Sequence, residues 1–213
     1  MKPTDIDNRS FLAKIAHRLH SVIAKSPYVA QKYIYLWSKV ARSLPENKFK
    51  NQIVNSFRNI DWQGVSFEPQ QVWAGTSADR VDLWIVPHPG EFDFEVMFSQ
   101  NIRYETEVFN VLASRLSKYD LIVEIGANVG IFTVFFGRYI QKNNLDCRVY
   151  AFEPSCEAFF RLQQNVRANQ LKNIQIFNFG IAQNTGFLKF TVLFSLSLLQ
   201  ISQTRFVLVM HCL

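Results

Sequence analysis

The 213 residues are 48% hydrophobic and 15% aromatic, enough to bury a full core and too apolar for a disordered chain. The net charge of +6 is uneven: residues 1–60 hold eleven Lys/Arg against three acids, and residues 61–213 hold twelve against fourteen. Cys147, Cys156 and Cys212 are scattered, which excludes a paired-cysteine zinc site or a secreted disulfide framework and suggests a reducing, cytoplasmic setting.

Asp5 and Asp7 argue against a secretory leader. No run reaches the roughly 18 to 20 apolar residues that span a bilayer. The most apolar stretch, 187–201, is broken by Lys189, Ser195, Ser197 and Gln200.

In chain order, residues 10–25 read as an amphipathic helix. Phe11, Leu12, Ile15, Leu19, Val22 and Ile23 recur at helical spacing, with Lys14, Arg18 and Lys25 opposite and Ser10 at the N-cap position. A second helical pattern covers 29–44 and stops at Pro45; a weaker third covers 46–60. These basic helices suit a solvated cap or a weak membrane-surface contact through residues 10–44, and no nucleic-acid partner is expected.

From Asp61 the pattern turns to short β segments. Residues 81–86 read as one strand and 92–98 as another, with Phe92, Phe94 and Val96 alternating with Asp93 and Glu95. Pro87-His88-Pro89-Gly90 supplies the turn of the expected hairpin, with His88 exposed at its tip.

A helical pattern over 104–116 leads into the stretch that organises the chain. Leu121 to Ile125 is an apolar run carrying Glu124; it breaks into Gly126-Ala127-Asn128-Val129-Gly130, and a helical segment begins at Ile131. Val149 to Phe152 is a second strand, ending in Glu153-Pro154, and a helix follows over 157–169. Residues 174–179 form a third strand and 187–192 a fourth. Strands separated by helices predict a parallel α/β sheet with a cofactor at the glycine turn.

Two cofactor classes compete for such a turn. A dinucleotide offers a pyrophosphate and selects Gly-x-Gly-x-x-Gly. Here Asn128 stands at the second glycine and the last glycine comes one residue early. S-adenosyl-L-methionine (SAM) has no phosphate but carries a sulfonium and an ammonium, which suit a carboxyl at Glu124. Gly126 admits close backbone approach and Gly130 close packing of the helix start. Glu153, 27 residues after Gly126, suits ribose hydroxyls in either class, so the glycine spacing is what favours SAM; a nicotinamide-dependent oxidoreductase is the lesser alternative.

Glu124 to Gly130, the Phe152-Glu153-Pro154 strand end, Asn165 and Asn169 on one helix, Ala182 to Phe187 and the Tyr104-Glu105 pair together resemble the FkbM family of SAM-dependent methyltransferases, over about residues 100–190. The resemblance implies a Rossmann-like class I sheet and a cofactor site at Glu124, Gly126, Ala127, Asn128, Gly130, Glu153 and Pro154. It also implies O-methyl transfer to a small-molecule or glycan hydroxyl, such as a sugar or secondary metabolite.

Past Phe190 the family's Lys-Ile-Asp-x-Glu-Gly strand does not follow. The expected organisation is a basic helical extension (1–60), a hairpin region (61–100), a partial SAM-binding domain (101–190) and a divergent apolar tail (191–213). The second half of the sheet is expected to be missing, and with it the wall that carries the catalytic base. On that view an inactive remnant acting as a binding protein is the alternative to an enzyme.

Overall fold

The computed structural model describes residues 11–181 apart from 59, 63, 77, 78, 90 and 103–105, with the side chains of 11–15, 17, 58, 92 and 106 also undescribed. Three expectations lie outside these residues: the Ser10 cap, the Tyr104-Glu105 pair, and everything from Ala182 onward, including the fourth strand.

Three helices come first: α1 (Phe11–Ile23), α2 (Pro27–Ser43) and α3 (Lys48–Arg58). Pro27 suits the first turn of α2, where its missing N–H has no helical partner to lose. The three converge on an aromatic core around Phe57, Trp62, Ile34 and Phe98. Spacing alone placed Leu19 and Val22 on the inward side of α1, but they are 50% and 64% exposed. Among the described side chains of α1 the buried one is His20, whose ring has partners there. Nδ1 lies 2.9 Å from the Ser56 carbonyl, Nε2 lies 3.1 Å from the Tyr33 hydroxyl, and the ring stacks on Phe57.

β1 (Gln70–Ala74) and β2 (Val81–Ile85) form an antiparallel pair, with Val72 opposite Leu83. The hairpin is therefore one strand earlier than its sequence suggests. Gln70 and Gln71 disguise β1, and residues 92–98 are not its partner. Phe92–Met97 is a 3-10 helix. At three residues per turn Phe94 and Met97 share a face, and both are buried against the helical core. Asp93, expected on a wet face, is 1% exposed. Arg42 of α2 anchors this segment from the other side, donating to the carbonyls of Met97 and Val96.

After α4 (Thr106–Leu116) the chain enters β3 (Leu121–Ile125), α5 (Ile131–Lys142), β4 (Arg148–Phe152), α6 (Cys156–Ala168) and β5 (Ile174–Phe177). The strands pair in parallel in the order β3-β4-β5, with Glu124 beside Ala151 and Phe152 beside Phe177. This is the three-strand half of a Rossmann-like sheet, incomplete among the described residues. Ile122 and Val149 on one face join Phe109, Val134, Phe135 and Phe136 in a core that also takes in Leu83 and Ile85 of the hairpin. Leu121, Val123, Ile125, Tyr150 and Phe152 point the other way and are only partly buried.

The hairpin joins the α/β unit through side chains. Asn165 Oδ1 on α6 accepts from the Val86 N–H at 2.8 Å, and Asn169 Oδ1 accepts from the Trp84 N–H at 2.8 Å. The helix thus presents carboxamides to the edge of β2 where a further strand would present peptide groups.

Candidate cofactor site

The loop from Gly126 to Gly130 makes three excursions to positive φ: Gly126 (+77°), Asn128 (+53°) and Gly130 (+82°). This zigzag buries Ala127 and Val129 and leaves Gly126 at the surface. A Cβ on Gly126 would meet nothing within 4 Å, so its glycine answers to backbone conformation and to open space at the tip of β3. Gly130 is different. A Cβ there would lie 2.3 Å from Leu162 Cδ1, so the close packing at this glycine is against α6 and not against the strand it follows.

The loop is strapped from three sides. The N–H groups of Gly126 and Ala127 both donate to the Phe152 carbonyl, at 2.9 and 3.0 Å. The Val129 carbonyl accepts from Asn165 Nδ2 at 2.8 Å. Glu153 binds the loop from the end of β4: Oε2 accepts from the Asn128 N–H and Oε1 from the Ser155 N–H, each at 2.8 Å. Glu153 is 7% exposed. Pro154 follows at partial exposure and carries the chain to the Ser155 N-cap of α6.

Glu124 lies beneath the loop on the helix-covered face of β3, 6% exposed. Thr133 of α5 donates to its Oε2 at 2.6 Å. Burial pushes the Glu124 carboxyl up to about 8; the Thr133 hydrogen bond opposes this, and the nearby Glu153 charge adds to it. At neutral pH Glu124 is therefore mostly the neutral acid, not the carboxylate its position in the sequence suggests. A cation brought to the loop would reverse that balance.

Among the predicted site residues, Glu124, Gly126, Ala127, Asn128, Gly130, Glu153 and Pro154 thus gather at the C-terminal ends of β3 and β4. Thr133 is a site residue that sequence reasoning missed; its only signal was a hydroxyl in an otherwise apolar first turn of α5. Asn165 was noted without a role, and it bridges the loop to the hairpin.

His88 is not merely exposed. It follows β2 against α6, with Nδ1 2.7 Å from Asp93 Oδ2 and Nε2 2.9 Å from Gln164 Oε1. Burial works to lower its pKa, but the bond and charge of Asp93 outweigh burial and hold it above the ordinary imidazole value. Beside it Arg161 Nη1 lies 3.1 Å from Glu91. This cluster fastens the segment after β2 to α6. No group of three or more potential metal ligands occurs among the described residues.

The strand, glycine turn and helix, with an acid closing the next strand, have the β-turn-α-β arrangement of a Rossmann-like sheet. No family model and no curated protein matches the chain. Solved structures with partial likeness include two methyltransferases. TYW2 of M. jannaschii in complex with AdoMet is 18% identical at TM-score 0.28, over 52% of this chain and 43% of that one. The 16S rRNA N2 G1207 methyltransferase RsmC of T. thermophilus, in complex with AdoMet and guanosine, is 14% identical at TM-score 0.36, over 72% and 46%. The chain spans less than half the length of either protein. A likeness of that extent says nothing of what this chain binds.

Proposed function

We propose that the loop binds S-adenosyl-L-methionine and that the chain is an O-methyltransferase of FkbM type. The observation that carries this reading is the Asn128 N–H, held 2.8 Å from Glu153 Oε2. In a dinucleotide site the loop's N–H groups face a pyrophosphate. Here those of Gly126, Ala127, Asn128 and Gly130 are all committed inside the protein, and a carboxyl stands at the loop's centre. That surrounding disfavours phosphate and favours a cationic, phosphate-free ligand, which argues against the nicotinamide alternative.

The residues fit such a ligand. Gly126 leaves open space at the strand tip. Glu153 has an unused lone pair on each oxygen for ribose hydroxyls. Glu124 supplies a buried carboxyl that a nearby cation would ionise. Ala127 and Val129, anchored inward, keep the loop from collapsing into that space. When bound, SAM supplies an electrophilic methyl group; the protein's part is to hold it in line with an acceptor oxygen. A sugar or secondary-metabolite hydroxyl is the acceptor we favour, from the resemblance over about residues 100–190.

The test is methyl transfer from isotopically labelled SAM to a panel of sugar and phenolic hydroxyls, run beside amine and carbon acceptors. Label appearing in an O-methyl product that Gly126→Val suppresses supports the reading. Label on nitrogen or carbon acceptors only would overturn its O-methyl part.

A further inference from the structure

The helices α1, α2 and α3 contain no aspartate or glutamate. Not all of their cations face solvent. Arg42 turns inward to backbone carbonyls, and Lys50 is buried with Glu46 at 2.7 Å. Lys32 and Lys39 of α2 are different: both are exposed, and neither pairs with an acid among the described residues.

The inward face of α2 is fixed. Ala30, Ile34 and Ala41 are each fully buried against the aromatic core. At 100° per residue the opposite face then carries Tyr28, Lys32, Tyr35 and Lys39 as one row along the helix. Lys32 Nζ sits 4.4 Å from the centre of the Tyr28 ring, and Lys39 Nζ sits 4.6 Å from that of Tyr35. Beside the row runs an aliphatic strip of Val29, Leu36 and Val40, with Leu36 61% exposed. A face that only needed solvation would carry polar residues where this one carries leucine and valine.

Several partners bind lysines, but fewer want this combination. Phosphates of a nucleic acid or carboxylates of an acidic peptide would satisfy the cations and leave the aliphatic strip wet. A lipid interface satisfies both at once. Anionic headgroups meet the ammonium ends, the lysine stems lie along apolar surface, tyrosine occupies the headgroup level and the aliphatic strip enters the acyl boundary. No helix among the described residues is long and apolar enough to cross a membrane, so such a helix would lie in the interface.

We propose that the outer face of α2 docks this protein on an anionic lipid bilayer, with Lys32 and Lys39 at the headgroups and Leu36 and Val40 below them. The proposal does not depend on the cofactor reading.

The experiment is co-sedimentation of the full chain with vesicles of phosphatidylcholine alone or with about a third phosphatidylserine, at low and at about 0.5 M salt. Binding should require phosphatidylserine and weaken at least about tenfold at high salt. The Lys32→Glu/Lys39→Glu variant should also bind at least about tenfold more weakly. Leu36→Ser/Val40→Ser should weaken binding while keeping its dependence on phosphatidylserine. All four side chains are exposed, so an unchanged circular dichroism spectrum should accompany each variant. No binding, equal binding to both vesicles, or indifference to the lysine reversal would overturn the proposal. So would tighter, lysine-dependent binding of an oligonucleotide at the same salt, or a dimer that Leu36→Ser/Val40→Ser dissolves.

Discussion

Asn169 pairs with Trp84 as a neighbouring strand would. Its Oδ1 accepts from the Trp84 N–H at 2.8 Å, and its Nδ2 donates to the Trp84 carbonyl across 85 positions of sequence. Asn165, one turn earlier, takes the Val86 N–H and gives its other hydrogen bond to the Val129 carbonyl in the Gly126–Gly130 loop. A single turn of α6 therefore holds the hairpin on one side and the loop on the other.

Truncating these two residues should give separable effects. Asn169→Ala strips partners from both backbone groups of Trp84 and should lower unfolding free energy by about 2 kcal/mol. Urea denaturation would show this as a lower midpoint with unchanged slope. Asn165→Ala should cost a similar amount and also weaken ligand binding at the loop, which Asn169→Ala should leave nearly intact.

The two loop glycines should respond differently to alanine. Gly126→Ala strains a positive-φ backbone but enters open space, and should cost about 1 kcal/mol. Gly130→Ala adds a collision with the fully buried Leu162 and should cost about 3 kcal/mol. In a Leu162→Ala background the Gly130→Ala penalty should fall to the backbone part, about 1 kcal/mol. A double-mutant cycle in urea measures the difference.

Glu124 sets the pH dependence. Its carboxyl ionises at about 8 in the folded protein and near 4.5 when free of it. Between those values the folded state holds a proton that the unfolded state has lost, so stability should fall as pH rises across this window, by up to about 1.4 kcal/mol per unit. Glu124→Gln should flatten that slope while keeping the Thr133 hydrogen bond. Unfolding midpoints across the range would show it.

His88 adds a second, narrower slope of the same sign. Held above its ordinary 6.5 by Asp93, it stabilises the fold at lower pH, and that contribution is lost as pH rises through its folded pKa. His88→Gln should abolish this part only, and the imidazole proton shifts in NMR should titrate above 6.5 in the native protein and not in Asp93→Asn.

Much of the α/β unit was legible because its signals are local. Leu121 to Ile125 and Val149 to Phe152 are short apolar runs closed by a glycine turn and an acid. The misreadings share a different cause. Asp93 looked like the wet side of a strand because only the distant packing of His88 against Gln164 makes its burial tolerable. Leu19 and Val22 looked buried because helical spacing cannot foresee that a histidine will find hydrogen bonds inside and displace them. β1 hid behind Gln70 and Gln71, polar residues at the start of a strand whose inward side chains are only Val72 and Ala74. Glu124 was found from spacing, but the neutral form it adopts follows from burial and from the nearby Glu153 charge, against the Thr133 hydrogen bond, and spacing carries none of these.

The proposed ligand of the Gly126–Gly130 loop is a cationic, phosphate-free cofactor. Isothermal titration of the intact protein with S-adenosylhomocysteine and with NAD tests it most directly, alongside Gly126→Val and Glu153→Ala. S-adenosylhomocysteine should bind saturably, that binding should be lost in both variants with their secondary structure retained, and NAD should not bind. Binding of NAD in preference, or no binding of S-adenosylhomocysteine by the folded protein, would contradict the proposal.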